Sequence, residues 1–178
     1  MADLKGTKTY QNLMDAFAGE SQARNKYTFY ASAAQKEGYK QISDIFLETA
    51  GNEKEHAELW FKLFHGVGAT TENLADAAAG EHGEWTEMYK RMAEEAKEEG
   101  FDDIAAQFEK VGMIEKSHEE RYLKLKSNIE SGLVFERPEP VEWKCGNCGF
   151  KYTGKKAVTE CPACKHPQAY FELSVEAY

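Results

Sequence analysis

The tetrapeptide EKEH occupies residues 53–56, and the related tetrapeptide EKSH occupies residues 115–118, 62 positions further along the chain. Each tetrapeptide places a glutamate three residues before a histidine, so both side chains lie on one face of a helix. One such pair is weak evidence, because aspartate and glutamate together number 31 in this chain. The fixed spacing between the two pairs is what makes them informative.

The spacing of 62 belongs to a longer internal repeat. The segments that match at this spacing are EGY at 37–39 with EGF at 99–101, Ile42 with Ile104, Phe46 with Phe108, and Trp60 with Tyr122. Helical periodicity runs through residues 7–130 and is interrupted at Gly38, at residues 66–73 and at Gly100. The sequence therefore predicts a mainly α fold, in which a duplicated helical hairpin forms a four-helix bundle.

Acidic side chains lie on the apolar stripes of three of the predicted helices. Glu53 and His56, for example, fall on the stripe that contains Phe46 and Trp60. Several ionised carboxylates in one core would cost many kcal/mol if they had no counter-charge. Arg24 is the only cation on the three stripes, so we infer bound metal cations. Oxygen ligands combined with imidazoles suit iron or manganese.

The number of candidate ligands matches a two-metal site. Ferritin-like di-iron and di-manganese proteins use one glutamate from each of two helices and a Glu-x-x-His pair from each of the other two. The corresponding residues of this chain are Glu20, Glu81, Glu53 with His56, and Glu115 with His118.

The third predicted helix contains one residue more than the first. AGE at 18–20 matches AGE at 79–81 with a spacing of 61, whereas Tyr27 and Tyr89 match with a spacing of 62. We predict that a π-type bulge between Glu81 and Tyr89 absorbs the extra residue and turns Glu84 inward as a further ligand. The alternative is that Glu84 is a surface charge and that the offset is alignment slack.

The only four cysteines lie near the end of the chain, as CGNC at 145–148 and CPAC at 161–164. Two CxxC pairs at this separation indicate a four-thiolate metal site formed by Cys145, Cys148, Cys161 and Cys164. Spacing alone fits a zinc ribbon at least as well as a one-iron site. A neighbouring di-iron site favours iron, because iron in four thiolates transfers single electrons and zinc does not.

Composition, net charge and proline positions limit the possible domain boundaries, partners and locations. Two prolines in the segment 134–140 predict a linker, so the predicted domains are residues 1–133 and 141–178. The net charge of −9 argues against a nucleic-acid partner. No apolar segment approaches the ~20 residues of a membrane span. The N-terminal residues lack the pattern of an export signal, so a cytoplasmic location is expected.

With these residues in view, the sequence resembles the rubrerythrin family over its whole length. The resemblance is carried by FAGE at 17–20, EKEH at 53–56, GEHGEWTEMY at 80–89, EKSHEERY at 115–122 and the two CxxC pairs in this order. It implies a ferritin-like di-iron four-helix bundle followed by a small β-rich, rubredoxin-like domain.

The resemblance also implies roles for the candidate ligands: Glu53 and Glu115 bridge two irons, Glu20 and Glu84 bind one iron, and Glu81 and His118 bind the other. His56 is then the alternative ligand of the first iron and replaces Glu84 upon reduction. Tyr27 and Tyr89 match family positions that hydrogen-bond the iron carboxylates. Without the resemblance, both tyrosines would be interpreted as core aromatics, and His82 has no assigned role.

The resemblance to this family implies that the chain is a peroxidase, which reduces hydrogen peroxide to water. By the resemblance, the reduced di-iron site becomes an oxo-bridged diferric centre, and the cysteine-bound iron, for which zinc is an alternative, reduces it again. Electrons would come from NAD(P)H through a reductase and often a separate rubredoxin. The sequence contains no GxGxxG fingerprint, so that donor is another protein. A homodimer or higher oligomer is also implied, because the cysteine domain of one subunit approaches the bundle of another.

Two competing functions follow from the same residues. The first is iron oxidation or storage, since ferritins build a related site on the same bundle. Glu84 and the cysteine domain argue against it. The second is a non-enzymatic interaction protein, in which a zinc ribbon follows a purely structural bundle.

Overall fold

The structure is a computed structural model and describes residues 4–175. Its helical part contains α1 (Lys8–Lys36), α2 (Lys40–Phe64), α3 (Thr70–Gly83), a π-helical turn (Glu84–Met88), α4 (Tyr89–Glu98) and α5 (Asp102–Glu130). The strands are β1 (Glu136–Cys145), β2 (Lys151–Lys156) and β3 (Phe171–Leu173). The mainly α fold with a small C-terminal β-rich region, predicted from the sequence, is confirmed.

The ends of the helices follow from local chemistry. The Thr7 hydroxyl accepts a hydrogen bond from the backbone N–H of Tyr10 and caps the start of α1. Gly38 has a φ of +87° just after the end of α1, and Gly100 has a φ of +83° just after the end of α4. Residues with a side chain rarely adopt these angles, so both glycines end a helix and begin the next turn. The two interhelical turns are equivalent positions of the repeat.

The chain divides into two compact units between Val67 and Gly68. In the first unit, α1 and α2 form a hairpin whose buried residues include Ala31, Ala34, Ala50 and Ala57. Tyr27 of α1 packs against Phe46 of α2 with a centroid separation of 6.1 Å. Small residues therefore allow the helices to approach closely, and the aromatic pair fills the space beside them.

The second unit contains a hairpin built in the same way. The segment α3–π turn–α4 packs along α5, and Ala78, Ala93, Ala96 and Ala105 are buried. Tyr89 and Phe108 have a centroid separation of 6.1 Å. They correspond to Tyr27 and Phe46 through the repeat of 62 residues, so the duplication predicted from the sequence extends to side-chain packing.

The predicted π bulge is confirmed. The backbone N–H of Tyr89 donates to the carbonyl of Glu84, five residues earlier, where a regular α-helix would bond to the fourth. The hydroxyl of Thr86 donates to the His82 carbonyl over 2.5 Å and adds a side-chain bond inside the wide turn. One extra residue is thus accommodated between Glu81 and Tyr89 without ending the helix.

The C-terminal strands form an antiparallel sheet in the order β2–β1–β3. Its core contains Trp143, Cys145, Ala157, Cys161 and Phe171. The indole N–H of Trp143, which is fully buried, donates to the Gly154 carbonyl over 3.0 Å. The core is small, so the two cysteines that it contains tie the metal site to the stability of this region.

The segment predicted as a linker is partly strand, since β1 begins at Glu136. The pairing of β1 with β2 changes register between Glu136 and Val141. Pro138 and Pro140 lie in this interval, where the missing proline N–H groups remove no ladder bond. The domain limits themselves remain a prediction. None of the helices formed by residues 4–175 combines the length and the apolar character needed to cross a membrane.

Substituting alanine for two glycines should change stability in opposite directions. Gly38→Ala places a side chain at φ +87° and is expected to destabilise the protein by about 1–2 kcal/mol. Gly51→Ala lies inside α2, where an added Cβ meets nothing within 4 Å, and is expected to stabilise by about 0.5–1 kcal/mol. Urea unfolding followed by circular dichroism measures both; shifts of the same sign would contradict the assignment of the first turn.

Candidate metal centres

The first hairpin holds a cluster of two carboxylates and one imidazole. His56 Nδ1 lies 2.9 Å from Glu53 Oε2 on the same helix and 3.9 Å from Glu20 Oε1 on α1. One ligand atom from each of the three residues lies within 4.8 Å of the others. The Glu53 side chain is 16% exposed, whereas His56 is 54% exposed. The carboxylate therefore lies inside the hairpin and the imidazole at its edge.

The second hairpin holds the equivalent cluster. His118 Nδ1 lies 2.7 Å from Glu115 Oε2 on the same helix and 3.7 Å from Glu81 Oε1 on α3. The three ligand atoms again lie within 4.8 Å of one another. Glu115 is the least exposed of the three side chains, at 13%. The two clusters match in residue type, order and spacing, as the repeat requires.

In the second cluster, the negative charge of the carboxylates is not balanced by the single histidine. Burial raises the pKa of Glu81, and the negative charge of Glu115 raises it further, against the opposite effect of His118. A bound cation would remove this penalty, because it stabilises the ionised form of both carboxylates. Oxygen and imidazole donors in this proportion fit iron. The residues present therefore suit the metal that the sequence predicts.

The charge of Glu84 acts on two residues of the second hairpin. It raises the pKa of Glu81 and also that of Tyr89, and burial is the largest cause in both cases. Glu84 is therefore close enough to both residues for its charge to matter. It is not part of the three-residue cluster. Its role as a ligand remains a prediction, as do the roles assigned to the other carboxylates and histidines.

The four cysteines come together in the C-terminal region. The Sγ atoms of Cys145 and Cys164 are 3.7 Å apart, as are those of Cys148 and Cys161. All four sulfur atoms lie within 4.8 Å of one another. Cys145 and Cys161 are fully buried, and Cys148 is exposed. This arrangement suits one tetrahedral ion of iron or zinc.

Each CxxC pair forms the same backbone turn. In the first, the Gly149 N–H donates to the Cys145 carbonyl and the Cys145 N–H donates to the Phe150 carbonyl, both over 2.8 Å. In the second, Lys165, Cys161 and His166 make the equivalent bonds over 2.9 and 2.8 Å. The fifth residue of each turn has a positive φ, +78° at Gly149 and +62° at Lys165. The two turns are therefore near copies.

These turns direct backbone N–H groups at the sulfur atoms. The N–H of His166 lowers the pKa of Cys164 to about 6. The N–H of Phe150 acts in the same direction on Cys148, but proton sharing with the other thiols and burial raise the pKa of Cys148 to about 12. Four crowded thiols cannot all ionise without a cation. The turns stabilise thiolates and the crowding requires a metal, so this site also fits its predicted ion.

Tyr27 and Tyr89 occupy equivalent positions of the repeat, each packed on the phenylalanine of its own hairpin. Their hydrogen bonds to the iron carboxylates remain a prediction.

The structure also contains a contact that the sequence did not indicate, between Glu119 and the residues His82 and Trp85. The Trp85 indole N–H donates to Glu119 Oε2 over 2.5 Å, and His82 Nδ1 lies 3.0 Å from Glu119 Oε1. The Trp85 bond is the main reason why the pKa of Glu119 is lowered. No spacing rule marks this contact, because it joins residues 37 and 34 positions apart on different helices.

Two family models match the chain. The rubrerythrin model matches residues 11–126, and the model described as rubrerythrin, rubredoxin-like domain, matches residues 143–172. The first match contains both carboxylate–histidine clusters, and the second contains all four cysteines.

Curated relatives are similar over nearly the full chain. The rubrerythrin of Porphyromonas gingivalis is 53% identical, with 95% of this chain and 91% of that protein covered. Rubrerythrin-1 of Clostridium acetobutylicum is 52% identical, and the match covers 100% of this chain and 100% of that protein. A solved structure of nigerythrin in a partially reduced state is 31% identical, covers 98% of this chain and 91% of its own, and has a TM-score of 0.36.

Iron should stabilise the metal-free protein through the two clusters. Adding Fe²⁺ anaerobically at a hundredfold excess over its dissociation constant is expected to add about 2.7 kcal/mol to the free energy of unfolding. Glu53→Gln should reduce the part of this gain that comes from the two carboxylate–histidine clusters. Glu55→Gln is the matched control, because its side chain is 69% exposed in the same EKEH motif. Both variants keep the four cysteines, so equal gains in the two variants would contradict a role for Glu53.

Proposed function

Because this chain belongs to the rubrerythrin family, and hence is a di-iron oxidoreductase of oxidative-stress defence with a rubredoxin-like iron site, we propose that it is a peroxidase. The reaction is the reduction of hydrogen peroxide to water, which consumes two electrons and two protons for each peroxide. One observation carries the proposal. A single chain contains two carboxylate–histidine clusters together with a four-thiolate cluster, so a site for two-electron chemistry and a site for one-electron transfer occur in one molecule.

The proposed ligands of the two irons are those of the two clusters together with Glu84. They are Glu20, Glu53, His56, Glu81, Glu84, Glu115 and His118. Cys145, Cys148, Cys161 and Cys164 would hold the single iron. When bound, the di-iron site supplies the electron pair that peroxide reduction requires, and the thiolate-bound iron supplies one-electron transfer.

The protein contributes ligand orientation and a place for protons. Glu53 and Glu115 are 16% and 13% exposed, so both carboxylates are held in a surrounding that excludes most water. Tyr89 keeps its proton at neutral pH, because burial and the charges of Glu84, Glu115 and Glu81 raise its pKa. We propose that its hydroxyl group donates a hydrogen bond to these carboxylates, and that Tyr27 does the same in the first hairpin.

Further parts of the proposal concern assembly and electron supply. The proposed assembly is a homodimer or higher oligomer, as the resemblance of the chain to its family implies. A rubredoxin or an NAD(P)H-dependent reductase is the proposed electron donor. The proposed location is the cytoplasm.

Comparing two oxidants separates the peroxidase from the ferritin-like alternative. The iron-loaded protein is reduced chemically under anaerobic conditions and then mixed with one equivalent of peroxide or of oxygen. We expect peroxide to oxidise the iron faster, as followed by stopped-flow absorption. A clear preference for oxygen would instead support ferroxidase activity and refute the peroxidase proposal.

Removing one thiolate should separate electron supply from the reaction with peroxide. Cys148→Ser changes the exposed cysteine and leaves the buried Cys145 and Cys161 in place. We expect steady-state peroxide turnover with an external donor to fall by about tenfold or more, equivalent to ~1.4 kcal/mol in the barrier. Single-turnover oxidation of the chemically reduced protein should stay within about twofold of the unsubstituted value.

Glu160→Gln, at an exposed residue beside the second CxxC pair, is the control for this experiment. Its steady-state rate should match that of the unsubstituted chain. An unchanged steady-state rate in Cys148→Ser would show that electrons reach the di-iron site by another path.

A further inference from the structure

Glu119 contacts residues on both sides of the point where the π turn begins. Its Oε2 accepts a hydrogen bond from the indole N–H of Trp85 over 2.5 Å, and its Oε1 lies 3.0 Å from Nδ1 of His82. An ionised carboxylate can only accept, so His82 donates from Nδ1. The Glu119 side chain is 17% exposed and its bond with Trp85 is partly buried, whereas His82 is 56% exposed and its bond lies at the surface. One residue of α5 therefore fixes the last turn of α3 and the first turn of the π helix.

Further contacts hold the same three residues together. The rings of His82 and Trp85 meet edge to face with centroids 5.5 Å apart. Lys116 Nζ lies 5.4 Å from the centre of the Trp85 ring, within the range of a cation–π contact. Glu84 lies between the two residues that Glu119 binds. The direction of its side chain is consequently set by a segment that is anchored on both sides.

The first hairpin provides an internal comparison. Through the repeat, Ser21 corresponds to His82, Ala57 corresponds to Glu119, and Trp85 aligns with Ala23 or Arg24. Ala57 has no carboxylate that could accept hydrogen bonds as Glu119 does, so the contact that we call the carboxylate anchor cannot form there. The α1 helix is regular at these positions. The carboxylate anchor thus occurs in the hairpin that contains the π turn and is missing from the described hairpin that lacks it.

A π turn is less favourable than the α-helix it interrupts, and isolated π turns persist where other contacts hold them. The bonds from Glu119 are of the charge-assisted kind and are among the stronger hydrogen bonds in proteins. Glu119 also follows His118 directly and lies one helical turn after Glu115. Any shift of the π turn relative to α5 would therefore change the placement of Glu84 relative to both residues.

We propose that Glu119 is a positioning residue for the metal centre, which fixes the π turn through Trp85 and His82 and so directs Glu84 towards the iron. The inference rests on the proposed function only in taking Glu84 as an iron ligand. Groups that orient metal ligands in this way typically change metal affinity by about 10- to 100-fold when they are removed.

The first measurement tests the anchor in the metal-free protein. The chain has three tryptophans, so its ¹⁵N–¹H spectrum contains three indole signals, and Trp85→Phe identifies the signal of Trp85. In Glu119→Ala, this signal should move to the position of a water-exposed indole and its hydrogen should exchange faster. Glu119→Gln keeps one acceptor and should give an intermediate position. Glu120→Gln, the exposed neighbour on α5, should leave the signal unchanged.

The second measurement tests the effect on iron. Anaerobic Fe²⁺ titration should show one of the two di-iron positions weakened by about 10- to 100-fold in Glu119→Ala and in Trp85→Phe. The double variant should lose little more than either single one, because both changes break the same contact. Gly38→Ala controls for stability, since it destabilises the other hairpin and should leave the ratio of the two iron affinities unchanged.

Each result is decisive. A changed indole signal with two unchanged iron affinities would overturn the positioning role, and an unchanged indole signal would overturn the anchor itself. If Glu119→Ala fails to fold, His82→Ala removes one donor and repeats both measurements, and Trp85→Phe removes the other donor and repeats the iron titration. Neither measurement uses peroxide, so failure of the proposed peroxidase activity would appear separately, as normal iron binding without turnover.

Discussion

The fold depends on carboxylates that are held away from water beside one another. In each hairpin, a glutamate of the second helix is less than one-fifth exposed and lies within hydrogen-bonding distance of its own histidine. The histidine and the glutamate of the first helix complete a set of donors that fits a hard or borderline cation. The repulsion shown by Glu81 and Glu115 means that this arrangement is most favourable with the metal present. The same residues therefore link the stability of the helices to the chemistry of the site.

The two hairpins are similar in construction and differ in one turn. Tyrosine–phenylalanine pairs at the same separation, alanines at the helix contacts and matching ligand distances show that they share one plan. The π turn breaks this equivalence, because it adds Glu84, whose charge acts on Glu81 and Tyr89. If Glu84 binds iron as proposed, the two metal positions have unequal ligands, and unequal ligands give unequal affinity and redox behaviour.

Much of this could be predicted from the sequence, because it rests on regular spacing. The repeat identified the helices and the glutamates and histidines that cluster, the offset of one residue located the π turn, and two CxxC pairs located the thiolates. The contact of Glu119 with His82 and Trp85 could not be found in this way. It joins residues 34 and 37 positions apart on different helices, and the spacing of residues along the chain does not predict which side chains meet across two helices. The start of β1 was also missed, since two prolines normally argue against a strand and here lie at an irregularity in the pairing.

The change from a spacing of 61 to a spacing of 62 has an evolutionary reading. Insertion of one codon into one half of a duplicated gene is sufficient to produce it, and no other rearrangement of the chain is needed. The longer half is also the half in which a carboxylate of α5 binds residues on both sides of the start of the π turn. A single added residue is therefore enough to make two halves of one plan chemically different.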